Sequence, residues 1–164
     1  MIRRVFRSGL FGLVFVLLSI HPITGFAMTN AEEQEAVRAF KLTPDYLERW
    51  ITAREQAIEK NIPIGTFELR DPEAKGDVNT PERRYTYLEN LPGVMPLLAR
   101  QHLSLSDFIH GSRAVLAAWI AQSSSAPESI ASANNIQAVA DAKQALAPIM
   151  EHDFAVELEQ RLKR

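Results

Sequence analysis

One helix opening recurs along this chain and constrains its fold more than any other feature. Leu42-Thr43-Pro44, Thr80-Pro81 and Leu103-Ser104 each place a hydroxyl side chain just ahead of an apolar stretch at helical spacing. A Thr or Ser there can accept a hydrogen bond from an otherwise unpaired N–H of the first turn. Proline costs nothing at the first helical position, where no N–H is needed. After the first opening, Leu47, Trp50, Ile51 and Ile58 fall on one face; after the third, Leu105, Phe108, Ile109, Ser112, Val115, Leu116 and Trp119 follow a step near 100° per residue. Glycine is sparse, at 7 of 164 residues, and alternating β-branched runs are missing. The sequence therefore predicts an all-α fold, a small bundle of about four to five helices.

The remaining elements follow the same grammar. A first helix opens at Thr29 or Asn30, with Glu32 and Glu33 in its first turn, and continues through Val37 and Phe40. Pro92-Gly93 separates the helix begun at Thr80 from a short one over 94–101. A last helix opens at Ser132 or Asn134 with Ile136, Val139, Leu146 and Met150 inward; Pro148 is expected to kink it or to start a new one, since Phe154, Leu158 and Leu162 drift from the earlier stripe. Residues 61–79 read as a long loop, of which Ile62, Ile64, Phe67 and Leu69 are expected in part to lie against the bundle, and 123–131 as a small-polar connector.

The first 27 residues have a different character. Arg3, Arg4 and Arg7, with no acid among them, precede the apolar run Leu10 to Ile20, which meets His21 and Pro22. A spanning helix needs about 20 apolar residues, and this run has the length of a signal-peptide core. Gly25-Phe26-Ala27 sets small residues where a signal peptidase reads, so residues 1–27 are expected to be a cleaved signal peptide and 28–164 a single helical domain, periplasmic or secreted. Losing Arg3, Arg4 and Arg7 from the 18 basic residues leaves 15 against 20 acidic ones, and the net charge moves from −2 to −5. That balance argues against nucleic acid as a partner, which needs a basic stripe, and gives no attraction to anionic lipid; no stable membrane insertion is expected after cleavage. With no cysteine, no lipid anchor and no disulfide can form, so packing must carry stability.

Arg54 is the residue hardest to explain as structure alone, because it shares the face of Leu47, Trp50, Ile51 and Ile58. A guanidinium there must find a carboxylate, stack on a ring such as Trp50 one turn earlier, or lead its charge to the edge. Arg54 with Trp50 is the ligand-binding candidate, for an anion or carboxylate held between helices; an internally paired or snorkelling arginine is the commoner outcome. Asp107 and His110 have a spacing that can hold a metal or orient an imidazole, yet no third ligand accompanies them, and helical rotation sets His110 toward water. His102 and His152 form no ligand pattern, Met95 and Met150 read as core filler rather than haem ligands, and no Cys-x-x-Cys-His stands anywhere. Ser112 lies mid-stripe and reads as a small residue for close helix approach. Arg83-Arg84 with Tyr85 and Tyr87 interleaves charge and ring as nucleic-acid binders do, but too briefly for an acidic chain. No nucleophile elbow, phosphate loop or dinucleotide fingerprint appears. No catalytic residue, metal site or cofactor is therefore expected.

Phe40-Lys41-Leu42-Thr43, Leu103-Ser104-Leu105-Ser106-Asp107-Phe108 and Ser132-Ala133-Asn134-Asn135-Ile136 resemble strings in small exported helical proteins of Gram-negative bacteria to which no activity is assigned. That group carries Gly before the middle Leu-Ser and Pro inside its cap, where this chain has His102 and Leu105. The resemblance implies a helical periplasmic domain and transfers no functional residue. Function by sequence is then a non-enzymatic periplasmic binding or accessory protein for a protein or a small amphipathic or anionic ligand. A stress-type periplasmic chaperone is the alternative, and an enzyme without a recognisable motif comes third. N-terminal sequencing of the protein from fractionated envelopes is expected to begin at or near Met28; an intact Met1 would mean a retained anchor.

Overall fold

The computed structural model describes residues 29–65 and 80–162. Residues 1–27, expected from the sequence to be a signal peptide, and residues 66–79 of the expected loop lie outside the described residues. Every described residue that sits in a regular element is helical. The helices are α1 (Asn30–Ala39), α2 (Pro44–Glu59), α3 (Pro81–Asn90), α4 (Val94–Arg100), α5 (Leu105–Ala121), α6 (Ala133–Asp141) and α7 (Lys143–Leu162), with a 3-10 turn at Pro127–Ser129.

The capping residues do what their chemistry allows. Thr43, Thr80, Ser104 and Ser132 accept from the N–H of Tyr46, Arg83, Asp107 and Asn135. Thr29 forms a full capping box, its hydroxyl taking the Glu32 N–H while the Glu32 carboxylate takes the Thr29 N–H at 2.7 Å. At the other end of α2, the Asn61 and Ile62 N–H groups return to the Ile58 and Ala57 carbonyls; α4 closes the same way through His102 and Leu103 onto Ala99 and Leu98. Asn61 and His102 consequently adopt left-handed backbone, at φ 53° and 51°. Glycine takes such a φ without strain; here residues with side chains hold it.

Seven helices are present among the described residues where the sequence suggests four or five. The short α4 stands where the Pro92-Gly93 break sets it, and the final helical stretch divides. Its division lies at Ala142 and not at Pro148, which α7 carries within one continuous helix. The reason is packing: α6 lies on α5 while α7 lies on α2, so the chain must turn between them.

The core gathers around α5, which packs against α1, α3, α4 and α6. Trp50, Phe108, Ile109, Val115, Leu146 and Met150 are fully buried in it. Ile64 from the loop joins this core and Ile62 packs at its margin, as expected; Phe67 and Leu69 lie outside the described residues. Asn135 ties the α1–α2 linker to α6 as a peptide group would, accepting the Leu42 N–H at 3.0 Å and donating to the Phe40 carbonyl at 2.8 Å. On the last turns of α7, Leu158 and Leu162 are exposed.

Helices α2 and α5 meet closely at Gly111. The buried Tyr46 hydroxyl passes over it to donate to the Asp107 carbonyl at 3.0 Å, and the ring is held edge-on against Phe40. Any Cβ at position 111 would fall inside the Tyr46 hydroxyl. Alanine adds helix propensity of about 1 kcal/mol at a helical glycine, but here the rigid ring must move first. Gly111→Ala is expected to destabilise the fold by about 1–3 kcal/mol in urea unfolding, the cost of an overpacked core.

Candidate functional site

The inward stripe of α2 carries Trp50 and Arg54 into the core together. The Trp50 indole N–H donates to Ser112 Oγ on α5 at 2.8 Å, so Ser112 is both the small residue that admits α2 and the acceptor that satisfies a buried donor. Arg54, 1% exposed, pairs with Asp153 on α7, also 1% exposed. His152 approaches the same carboxylate, its Nδ1 lying 3.3 Å from Asp153 Oδ1. The carboxylate that Arg54 requires is thus internal. The cation–π contact among the described residues is Lys143 over Trp119, at 6.0 Å.

His110 departs from the sequence expectation. The α5 period alone sets it toward water, yet it is 8% exposed, because α3 lies across that side of α5 and brings Tyr85 over the ring. Asp107 does not join it: that carboxylate takes the hydroxyl of its own cap, Ser104, at 2.7 Å. His110 Nε2 instead lies 3.2 Å from the Tyr85 hydroxyl and Nδ1 3.5 Å from Ser106 Oγ, and Tyr85 reaches Ser106 at 3.3 Å. Burial lowers the His110 pKa below its ordinary value, and the Arg113 charge works in the same direction against the opposing pull of Glu33 and Asp107. Burial likewise raises Tyr85. The fold selects a neutral ring in a small hydroxyl-lined cluster. Among the described residues, no three His, Cys, Asp or Glu side chains gather to hold a metal.

A second buried ion cluster was not singled out by the sequence. Glu33 on α1 is 1% exposed and receives both Arg84 of α3 and Arg113 of α5 on one oxygen, Oε2. Its signal is positional: Glu33 shares a helical face with Val37, and Arg84 shares one with Pro81 and Leu88. Arg84 therefore turns inward, away from the basic and aromatic string in which it is written.

One open depression has the size of a ligand seat. It measures about 410 Å³ and lies between α2 and the α6–α7 junction, within the range of small-molecule pockets. Leu47 and Ile51 line one side and Ala138, Ala142 and Ala145 the other, with Glu48 and Asp141 also among the lining residues and the Asp141 carboxylate accepting from Gln137 Nε2 at 2.7 Å. The alanine wall creates the space, since larger side chains there would fill it. Trp50 and Arg54 lie behind this groove in the core and do not line it.

No protein-family model, curated protein or solved structure matches the chain. The arrangement of its own residues must carry any functional reading.

The Arg54 and Asp153 pair makes a separable expectation. Asp153→Ala takes a buried carboxylate from Arg54 and is expected to cost about 3–5 kcal/mol in chemical denaturation, whereas Arg54→Met/Asp153→Leu, which removes both charges, should recover part of that loss.

Proposed function

We propose that the protein is a non-enzymatic binding protein of the periplasm. It is released by removal of residues 1–27, and it holds a small amphipathic ligand in the groove between α2 and the α6–α7 junction. The observation that carries this reading is the groove itself, open to solvent, walled by Leu47, Ile51 and alanines, and lined also by the acidic residues Glu48 and Asp141. Apolar walls supply affinity by removing hydrocarbon from water, at about 25 cal/mol per Å². A few polar groups at a pocket's edge orient what enters.

Glu48 and Asp141 favour a ligand with a basic head over the anionic one that Arg54 suggests, since Arg54 is engaged with Asp153. The polar clusters support binding over catalysis: His110 is enclosed by Tyr85 and Ser106 apart from this groove. No helix among the described residues is long and apolar enough to cross a membrane.

Dodecyltrimethylammonium, a single apolar chain with a cationic head, serves as the probe in isothermal titration calorimetry. One molecule is expected to bind per chain with a negative heat-capacity change. Ala145→Trp places an indole in the groove from an exposed position and should weaken binding about tenfold or more with the helical circular dichroism unchanged. Glu48→Gln/Asp141→Asn should weaken it less and flatten its salt dependence. Equal affinity in wild type and Ala145→Trp would remove the groove from the function.

A further inference from the structure

We propose that the groove between α2 and the α6–α7 junction selects a ligand whose head donates hydrogen bonds, a single-chain aliphatic primary ammonium, and that Glu48 is the residue which recognises that head. This selectivity rests on the groove being the ligand seat, and it follows from the donors and acceptors that the nine lining residues leave free.

Among the described residues, the walls offer no free donor. Pro44, at the first position of α2, has no N–H. The Leu47 N–H is spent on the Thr43 carbonyl at 2.9 Å, that of Ala142 on Ala138 at 3.2 Å and that of Ala145 on Ala142 at 3.0 Å. The other lining residues stand inside α2 or α6, past the first turn, where each N–H returns to a carbonyl one turn earlier. Thr52 is the lining residue whose side chain has a hydrogen to give, and its hydroxyl donates to the Glu48 carbonyl at 2.9 Å. A hydroxyl has a single hydrogen, so what Thr52 retains is an acceptor. Neighbouring cations are turned elsewhere. Arg49 reaches Asp45 and the His102 carbonyl, and the Lys143 ammonium lies over the Trp119 ring. Lys143 and Gln144, whose N–H groups open α7, do not line the groove.

Acceptors, by contrast, are left over. The Asp141 carboxylate is engaged in part, by Gln137. Glu48 is exposed, and its carboxylate makes no hydrogen bond or ion pair among the described residues. An ionised carboxylate only accepts, through two oxygens. An anionic head entering this groove would give up water and meet acceptors alone, which leaves its oxygens unpaired. A quaternary ammonium gains the attraction of charge but has no hydrogen to give. A primary ammonium stays charged at neutral pH and brings three donors. Its charge-assisted bond to a carboxylate is about twice as strong as a neutral one. With apolar walls for the chain and Glu48 uncommitted, an aliphatic amine is the class whose every group finds a counterpart.

The test is isothermal titration calorimetry of the mature chain with dodecylammonium, dodecyltrimethylammonium and dodecanoate, each below its micelle-forming concentration. The chain is common to all three and the head alone changes. Dodecylammonium is expected to bind about tenfold more tightly than dodecyltrimethylammonium, and dodecanoate more weakly than either. Glu48→Ala, at an exposed helical position that alanine suits, should abolish the difference between the two cations with helical circular dichroism unchanged. Asp141→Asn should retain most of that difference. Equal binding of the two cations, dodecanoate binding as well as dodecylammonium, or a tenfold difference that survives Glu48→Ala overturns the selectivity and leaves the groove reading standing. Binding by none of the three, or binding that Ala145→Trp does not weaken, overturns both.

Discussion

The Arg54–Asp153 pair is the contact on which the rest of this structure depends. Two opposite charges, both withdrawn from water, bring α2 and α7 to one fixed register across the core. Such a pair adds little net stability over apolar side chains, because desolvation consumes most of the Coulombic gain. Its effect is discrimination: an arrangement that parts the two side chains takes a buried charge away from its opposite, and such arrangements are disfavoured. With no cysteine to fix the chain covalently, this is how a core rich in alanine and leucine is held to one packing. Trp50 donating to Ser112 applies the same rule to a neutral donor, and Tyr46 passing over Gly111 applies it to shape.

Most helix beginnings were legible in the sequence because they are local: each cap needs only a hydroxyl and an N–H three residues later. Where helices end and divide was less so. Ala142 separates α6 from α7 because those helices rest on different neighbours, and nothing in the residues 138–146 announces it. His110 was misplaced for the same reason, since helical phase describes one helix and α3 arrives from elsewhere to cover it. The groove was illegible because it is a lack of volume between α2 and α6–α7, and absent atoms have no sequence pattern.

Charged residues in apolar stripes proved the most informative signal, more so than histidines or basic runs. Arg54, Asp153, Glu33 and Arg84 all occupy inward helical positions, and each ends in a buried ion contact with another of the four. Arg113, which joins Glu33 from the solvent edge, lacks that position and could not be foreseen. The sequence indicates that inward charges need partners, but which charge meets which is decided by tertiary topology. The two clusters also divide the molecule: one locks α2 to α7, the other holds α1 to α3 and α5, and the open groove lies beside the first.

The sequence separations of these contacts have a kinetic consequence. Asn135 reaches back 93 residues to Leu42, and Asp153 reaches back 99 to Arg54. Individual helices form in about a microsecond, whereas contacts across such distances wait for large loops to close. The carboxylate that completes the core around Arg54 lies in the final 20-residue helix. A chain still being made therefore has its earlier helices available well before the contact between Arg54 and Asp153 can form.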